Sequence, residues 1–395
     1  MKCVRIHKII KSEDIILKNN RLRVFEAFAG IGAQATALER IGINYEIVGI
    51  SDWFTDAIIC YDAIHGKDED RPTVPDKTEQ LRYLNQFEFS KDSVRPSQLT
   101  GLDAEYLEKL YIANKRSKNC GSITQLHGCE MPDFDLLVYS FPCQDLSTGG
   151  KGLGMKKGSG TRSGLLWEIE RILTELNQEN RLPEYLLLEN VRTILAKSNE
   201  ADLNQWLSFL ESLGYKNDEC MILNSLDFGV PQDRERAFII SHLGNKLNVN
   251  ERIIKRERNC NFYDFFKNDY TNAKYREEAD IAQLNDTPSR IVMWDINGRD
   301  PITRETTIGT ITCNMDRTHC CGLFKYNGAK GNTFRRPTIR EAFLFMGFTE
   351  EEYERTEYLD FSYRKMNKLI GNSIVVDVLA EIFRAMFYDK YAKGE

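Results

Sequence analysis

A largely apolar run from Phe134 to Tyr139 stops at Phe141-Pro142-Cys143. A run that short, with no helical periodicity, reads as a buried strand. Pro142 fixes its own φ and biases Phe141 toward an extended conformation. Cys143 therefore stands on a stiff corner at a strand's carboxyl end, the edge at which open α/β sheets bind ligands. The stretch from Ser147 to Arg162 follows, too rich in glycine to hold one conformation unaided, and it carries Lys151, Lys156, Lys157 and Arg162. A thiol on a rigid corner before a basic loop suggests a nucleophile with a lid. A core cysteine beside a surface loop is the competing reading, since free cysteine is among the most buried residue types.

The flanking pattern is that of an α/β chain. Leu22 to Phe28 predicts a strand, Ala29-Gly-Ile-Gly-Ala-Gln34 a glycine turn, and Thr36 to Arg40 a helix. In that geometry backbone N–H groups and a helix N-terminus meet a nucleotide-like ligand. The next strand, Glu46 to Ile50, runs into Asp52-Trp53. An acid there suits ribose hydroxyls, and Trp53 offers either a stacking face for a base or plain core packing. Residues 66–120 are charged and irregular, an insertion with one helix from Leu102 to Lys115.

Beyond the basic loop a helix is expected over Ser163–Leu176. A strand over Tyr185–Asn190 then puts Glu189 at its carboxyl end, beside the Cys143 corner if the two strands are parallel neighbours. A carboxylate that ends an apolar strand is costly to bury unpaired, which points away from packing as its role. A helix from Asp202 to Leu213, a strand over Met221–Asn224 and a strand over Ala237–Ser241 follow. Arg234 and Arg236 stand two residues apart just before the last strand, as candidates to face a ligand or pair with an acid. From Leu243 to about Asn332 the alternation of strand and helix stops, as in a separate, smaller domain. Helical periodicity returns at Arg340–Phe348 and Ser373–Phe387, the last packing back on the first domain.

Composition limits the partners. The chain has 395 residues, 42% of them apolar, and no stretch approaches the roughly 20 apolar residues that span a bilayer. Its ten cysteines show no framework spacing, and the N-terminus shows no export signal, so reduced thiols are expected. Cys313, His319, Cys320 and Cys321 lack the Cys-x-x-Cys pairing that zinc favours, and no metal is expected. A net charge of −6 argues weakly against a nucleic-acid partner, but distribution matters more than the sum. Basic residues cluster at Lys246–Arg258 and at Arg335, Arg336 and Arg340, as DNA-facing or merely solvated groups.

Six segments then occur in one order: Phe25-Glu-Ala-Phe-Ala-Gly-Ile-Gly32, Phe141-Pro-Cys-Gln144, Glu189-Asn-Val191, Gln232-x-Arg-x-Arg236, Arg340-Glu341 with Met346-Gly-Phe348, and Gly371-Asn-Ser373. This order resembles the DNA cytosine-5 methyltransferases over nearly the whole chain outside the insertion and middle domain. Phe25–Gln34, Tyr139–Ser147 and Gly158–Glu170 are especially similar to the bacterial enzymes that methylate CpG.

The resemblance implies a Rossmann-like S-adenosylmethionine-dependent methyltransferase sheet, α/β with helices on both faces, plus a smaller irregular target-recognition domain. The expected division is 1–243 catalytic, 244–333 target recognition, and 334–395 returning to the catalytic domain. Cytosine C5 is a poor nucleophile, and a thiolate adding to C6 makes C5 enamine-like. The resemblance assigns that thiolate to Cys143, the acid at N3 to Glu189 and a hold on O2 to Arg236, with Arg234 supporting the pocket. It assigns the methyl donor to Phe28, Gly30, Ile31, Asp52, Trp53, Pro142, Leu166, Asn372 and Ile374. Ser122 stands where the family often has an acid near the adenine amino group, a departure that weakens that contact.

A base cannot react inside a stacked duplex and must be flipped out. Gln144, Ser147 and Arg162 are expected at the DNA, and Thr310, Thr312 and Arg317 in the middle domain as sequence readers. The implied partner is double-stranded DNA, met by a cytoplasmic, nucleoid-associated bacterial monomer. No membrane is involved, and any cognate restriction endonuclease acts separately. A tRNA cytosine-5 methyltransferase with the same motifs and a catalytically dead CpG-binding regulator are the alternatives.

Overall fold

The computed structural model describes residues 21–142, 155–158, 162–285, 287–289, 292, 306–315, 321–328 and 334–391. Strands β1 (Leu22–Ala27), β2 (Tyr45–Ser51), β3 (Leu136–Tyr139) and β4 (Tyr185–Val191) are parallel neighbours in the order β2-β1-β3-β4. Strands β5 (Tyr215–Asn217) and β6 (Met221–Asn224) pair with opposite ends of β7 (Glu235–Leu243), which runs antiparallel to β4. Arg236 lies in β7, whereas Arg234 precedes it.

Both faces of the sheet are covered, and for that reason its strands are continuously apolar. Leu22, Val24, Leu136, Val138 and Leu187 belong to one core. Their neighbours Phe25, Ala27, Leu137, Tyr139 and Leu188 belong to another. Helices α1 (Ala33–Arg40), α2 (Thr55–His65), α3 (Lys77–Leu84) and α4 (Ala104–Arg116) contribute to the first core. Helices α5 (Leu166–Gln178) and α6 (Glu200–Ser212) line the second. The insertion thus holds two helices, of which α3 was not legible from its charged sequence.

After β7 come the short helix α7 (Val249–Arg252), then α8 (Ala273–Ala282) and the two-residue strands β8 (Phe324–Lys325) and β9 (Phe334–Arg335). Helices α9 (Ile339–Phe345), α10 (Glu350–Glu354), α11 (Tyr363–Gly371) and α12 (Val376–Tyr391) complete the chain. α12 packs on α1. Within the middle segment Phe266 stacks on Phe324 at 4.3 Å, and Phe265 stacks on Phe345 of α9 at 5.7 Å.

The basic cluster near residue 340 is neither solvated nor available to DNA. Arg335 and Glu341 are both 0% exposed and form a two-pronged ion pair at 2.7 and 2.8 Å. Arg340 is buried against Glu278 at 2.9 Å and Glu350. These cations are structural because each is matched by a carboxylate from another element. Among the described residues no helix is long and apolar enough to cross a membrane. No group of three metal-ligating side chains occurs among them either.

Candidate active site

The carboxyl ends of the four parallel strands reach one edge together, because Ala27 pairs with both Ser51 and Tyr139, and Tyr139 pairs with Leu188. One residue further on, Glu189 is 7% exposed and next to the chain leaving β3. The Asn190 amide donates to the Phe141 carbonyl at 3.0 Å, and the Ser163 hydroxyl donates to the Pro142 carbonyl at 2.8 Å. The corner before Cys143 is therefore clamped from β4 and from the turn leading into α5. Cys143 lies outside the described residues, as do Gln144, Ser147, Arg317 and the Arg162 side chain.

Glu189 Oε1 lies 3.4 Å from Arg236 Nε. Burial pushes the Glu189 carboxyl above the ordinary glutamate range, with Arg236 and then Arg234 pulling the other way. A carboxyl group whose surroundings favour its protonated form can donate a hydrogen bond to a ring nitrogen. Arg234, 4% exposed, is committed to the backbone. Its Nη1 donates to the Ile311 carbonyl at 2.7 Å and its Nη2 to the Gly371 and Ser373 carbonyls at 3.1 and 2.7 Å. It joins the middle segment to the end of α11, so it shapes the pocket through that backbone as well as through its charge on Glu189.

Gln232 is the group that sequence reading left without a role. It is 0% exposed, donates to the Phe345 carbonyl at 2.7 Å and accepts from Ile311 N–H at 2.9 Å. Nothing local marks it, since both partners are far away in sequence. Thr310 donates to the Asp233 carbonyl at 2.7 Å, which seats the segment carrying Thr310 and Thr312 on the turn before β7. Gly371 permits a second close approach there: an added Cβ would meet Thr312 and Cys313 backbone at 2.3 Å.

The glycine turn after β1 has its own tension. Phe28, Gly30 and Gly32 all have positive φ, of 59°, 59° and 80°. Asp52 accepts from Gly30 N–H at 2.9 Å and Phe54 N–H at 2.8 Å, so it ties the turn to the end of β2. Burial pushes its carboxyl up to about 6. The Ile31 carbonyl lies 3.1 Å from His65 Nε2.

Three observations fit this edge to S-adenosylmethionine. A Cβ added to Gly30 would meet nothing within 4 Å, so the space in front of the turn is open. The N-cap of α1 is Gly32, which brings no side chain to the first turn of the helix. Asp52 and the half-buried Trp53 sit together at the end of β2, an acid for hydroxyls and a ring for a base.

The other residues that the resemblance assigns to the donor stand as follows. Ser122 is buried and its hydroxyl is 2.8 Å from that of Thr124, so it is already engaged. Leu166 and Ile374 are buried, Pro142 follows β3, and Asn372 is exposed just after α11.

The comparisons with known proteins agree with this arrangement. The family model for C-5 cytosine-specific DNA methylase matches residues 103–388. The orphan methyltransferase M.SssI of Spiroplasma monobiae is 37% identical over 383 residues, covering 92% of this chain and 97% of that protein. The type II methyltransferase M2.ScrFI of Lactococcus lactis subsp. cremoris is 35% identical over 373 residues, covering 93% and 99%. The crystal structure of S. pombe Dnmt2 methyltransferase aligns with a TM-score of 0.59 at 19% identity, covering 93% of this chain and 98% of that one. The Entamoeba histolytica methyltransferase EhMeth aligns equally well at 16% identity, and both show the shared fold. The chain belongs to the C-5 cytosine-specific DNA methylases, enzymes that methylate cytosine C5 in DNA with S-adenosylmethionine.

Proposed function

We propose that the acceptor is a cytosine flipped out of double-stranded DNA, within CpG, and that the reaction runs through a covalent bond between Cys143 and C6. The observation that carries this reading is the buried Glu189 carboxyl, held beside Arg236 and joined through Asn190 to the Phe141–Pro142 corner. Bound S-adenosylmethionine supplies the electrophilic methyl group.

Cys143 adds as the thiolate to C6, and the ring's electron pair shifts toward C5. Glu189 hydrogen-bonds N3 and relieves the charge that builds there, while Arg236 holds O2. After transfer the C5 proton leaves to water, the C6–S bond breaks and the thiolate returns. Asp52 and Trp53 hold the ribose and base of the donor at the glycine turn.

Residues 244–333 read the DNA sequence in this account, with Thr310 and Thr312 on the segment that Arg234 and Gln232 anchor. Gln144 meets the orphan guanine or fills the gap left by the base, Ser147 and Arg162 hold DNA, and Arg317 meets a guanine edge. The protein acts as a monomer, and any partner endonuclease acts separately. The CpG assignment rests on the resemblance of Phe25–Gln34, Tyr139–Ser147 and Gly158–Glu170 to bacterial CpG enzymes.

Labelled donor incubated with CpG duplex, duplex lacking CpG, and tRNA tests the acceptor. Label confined to the CpG duplex is expected; labelled tRNA with silent DNA would overturn the reading. A duplex carrying 5-fluorocytosine should trap a protein adduct that Cys143→Ser abolishes.

A further inference from the structure

The insertion, opaque as sequence, runs directly behind the donor pocket. Ser90 N–H donates to the Trp53 carbonyl at 2.7 Å, and the Ser90 carbonyl accepts from Thr55 N–H at 3.0 Å, a parallel bridge alongside Phe54. Phe87 backs Gly121, the residue before Ser122, so closely that an added Cβ there would lie 2.9 Å from Phe87 Cβ. Lys368 of α11 donates to the Asp92 carbonyl at 2.6 Å and sits 4.4 Å from the Phe54 ring centroid. Four residues on from Lys368 is Asn372. The segment is tied within itself as well. Asp92 Oδ1 accepts from Val94 and Arg95 N–H at 2.7 and 3.1 Å, and the buried Ser90 hydroxyl lies 3.0 Å from it.

We propose that residues Phe87–Ser97 are a positioning element of the S-adenosylmethionine site. They hold the segments of Trp53, Ser122 and Asn372 in register through the Ser90–Trp53 bridge and the Lys368–Asp92 latch. The inference rests on the donor-site reading above. These residues touch no reacting atom, so they act on donor binding and leave the chemical step alone.

Asp92→Ala and Lys368→Met in the full chain test it. Calorimetry measures S-adenosylhomocysteine binding, steady-state methylation of a CpG duplex separates KM from kcat, and thermal melting reports stability. Kd for S-adenosylhomocysteine and KM for the donor are expected to rise about 5- to 20-fold, as loss of such bonds implies. kcat and KM for DNA stay within about twofold, and Asp92→Asn and Lys368→Arg recover most of the affinity. Donor affinity unchanged in both variants, whatever their melting temperature, would overturn the proposal. Wild-type protein that fails to bind S-adenosylhomocysteine at all would instead overturn the donor-site reading.

Discussion

Glu189 and Arg236 sit diagonally across the antiparallel β4–β7 ladder, so their side chains share one face, with Oε1 and Nε 3.4 Å apart. The pair joins the last parallel strand, β4, to the antiparallel strand β7 beside it. Replacing Glu189 with Gln keeps the shape and removes the proton. The kcat for methylation should fall by about 10²- to 10⁴-fold with DNA affinity retained, measured by single-turnover kinetics and gel shift. Glu189 titrates above an ordinary glutamate, so the protonated form persists to higher pH and the step that needs it fades as pH rises through that raised value. Arg236→Ala removes the charge that opposes this shift and should move the limb to higher pH.

The Arg335–Glu341 pair predicts a stability effect without chemistry. Glu341→Gln leaves the Arg335 charge uncompensated in a site that is 0% exposed. A loss of about 3–5 kcal/mol is expected from urea denaturation. Replacing both residues with apolar ones of similar volume should cost much less than the single change.

Gly30 and Gly32 separate backbone strain from space. At Gly32 an added Cβ would meet His65 at 2.3 Å with φ at 80°, so Gly32→Ala should lower the melting temperature clearly. At Gly30 nothing obstructs a Cβ, and only the positive φ costs stability. Gly30→Ala should therefore melt nearer the wild type and still bind S-adenosylhomocysteine poorly, since the methyl group enters the open space before the turn.

Glu26 makes stability pH-dependent. It is 0% exposed in β1, and burial pushes its carboxyl from 4.5 up to about 8. The folded state thus binds a proton that the unfolded state releases. Its stabilising contribution is complete below about pH 4.5 and declines as pH rises toward 8, at about 1.4 kcal/mol per pH unit. Glu26→Gln should flatten that part of the profile and be the more stable protein at pH 8, checked by chemical denaturation across the range.

Much of the site edge was legible before folding. The strands ending at Phe28, Ile50 and Tyr139 are short apolar runs soon followed by glycine, acid or proline, the one ending at Asn190 carries its acid as the penultimate residue, and local pattern determines such runs. The helix at Lys77–Leu84 was missed because half its faces are exposed and charged, which hides periodicity. Arg335, Arg336 and Arg340 read as surface charge, since sequence carries no record of which carboxylates meet Arg335 (Glu341, six residues on) and Arg340 (Glu278, far upstream).

By itself the sequence determined the order of the motifs, the α/β alternation, and which side chains the chemistry requires. Those properties depend on neighbours a few residues away. Tertiary structure alone decided that Gln232 and Arg234 are clamps, that the insertion backs Trp53, and that burial raises the Glu189 carboxyl. Each of these depends on burial and on partners tens to hundreds of residues distant, and desolvation and pairing exist only once the chain has closed around them.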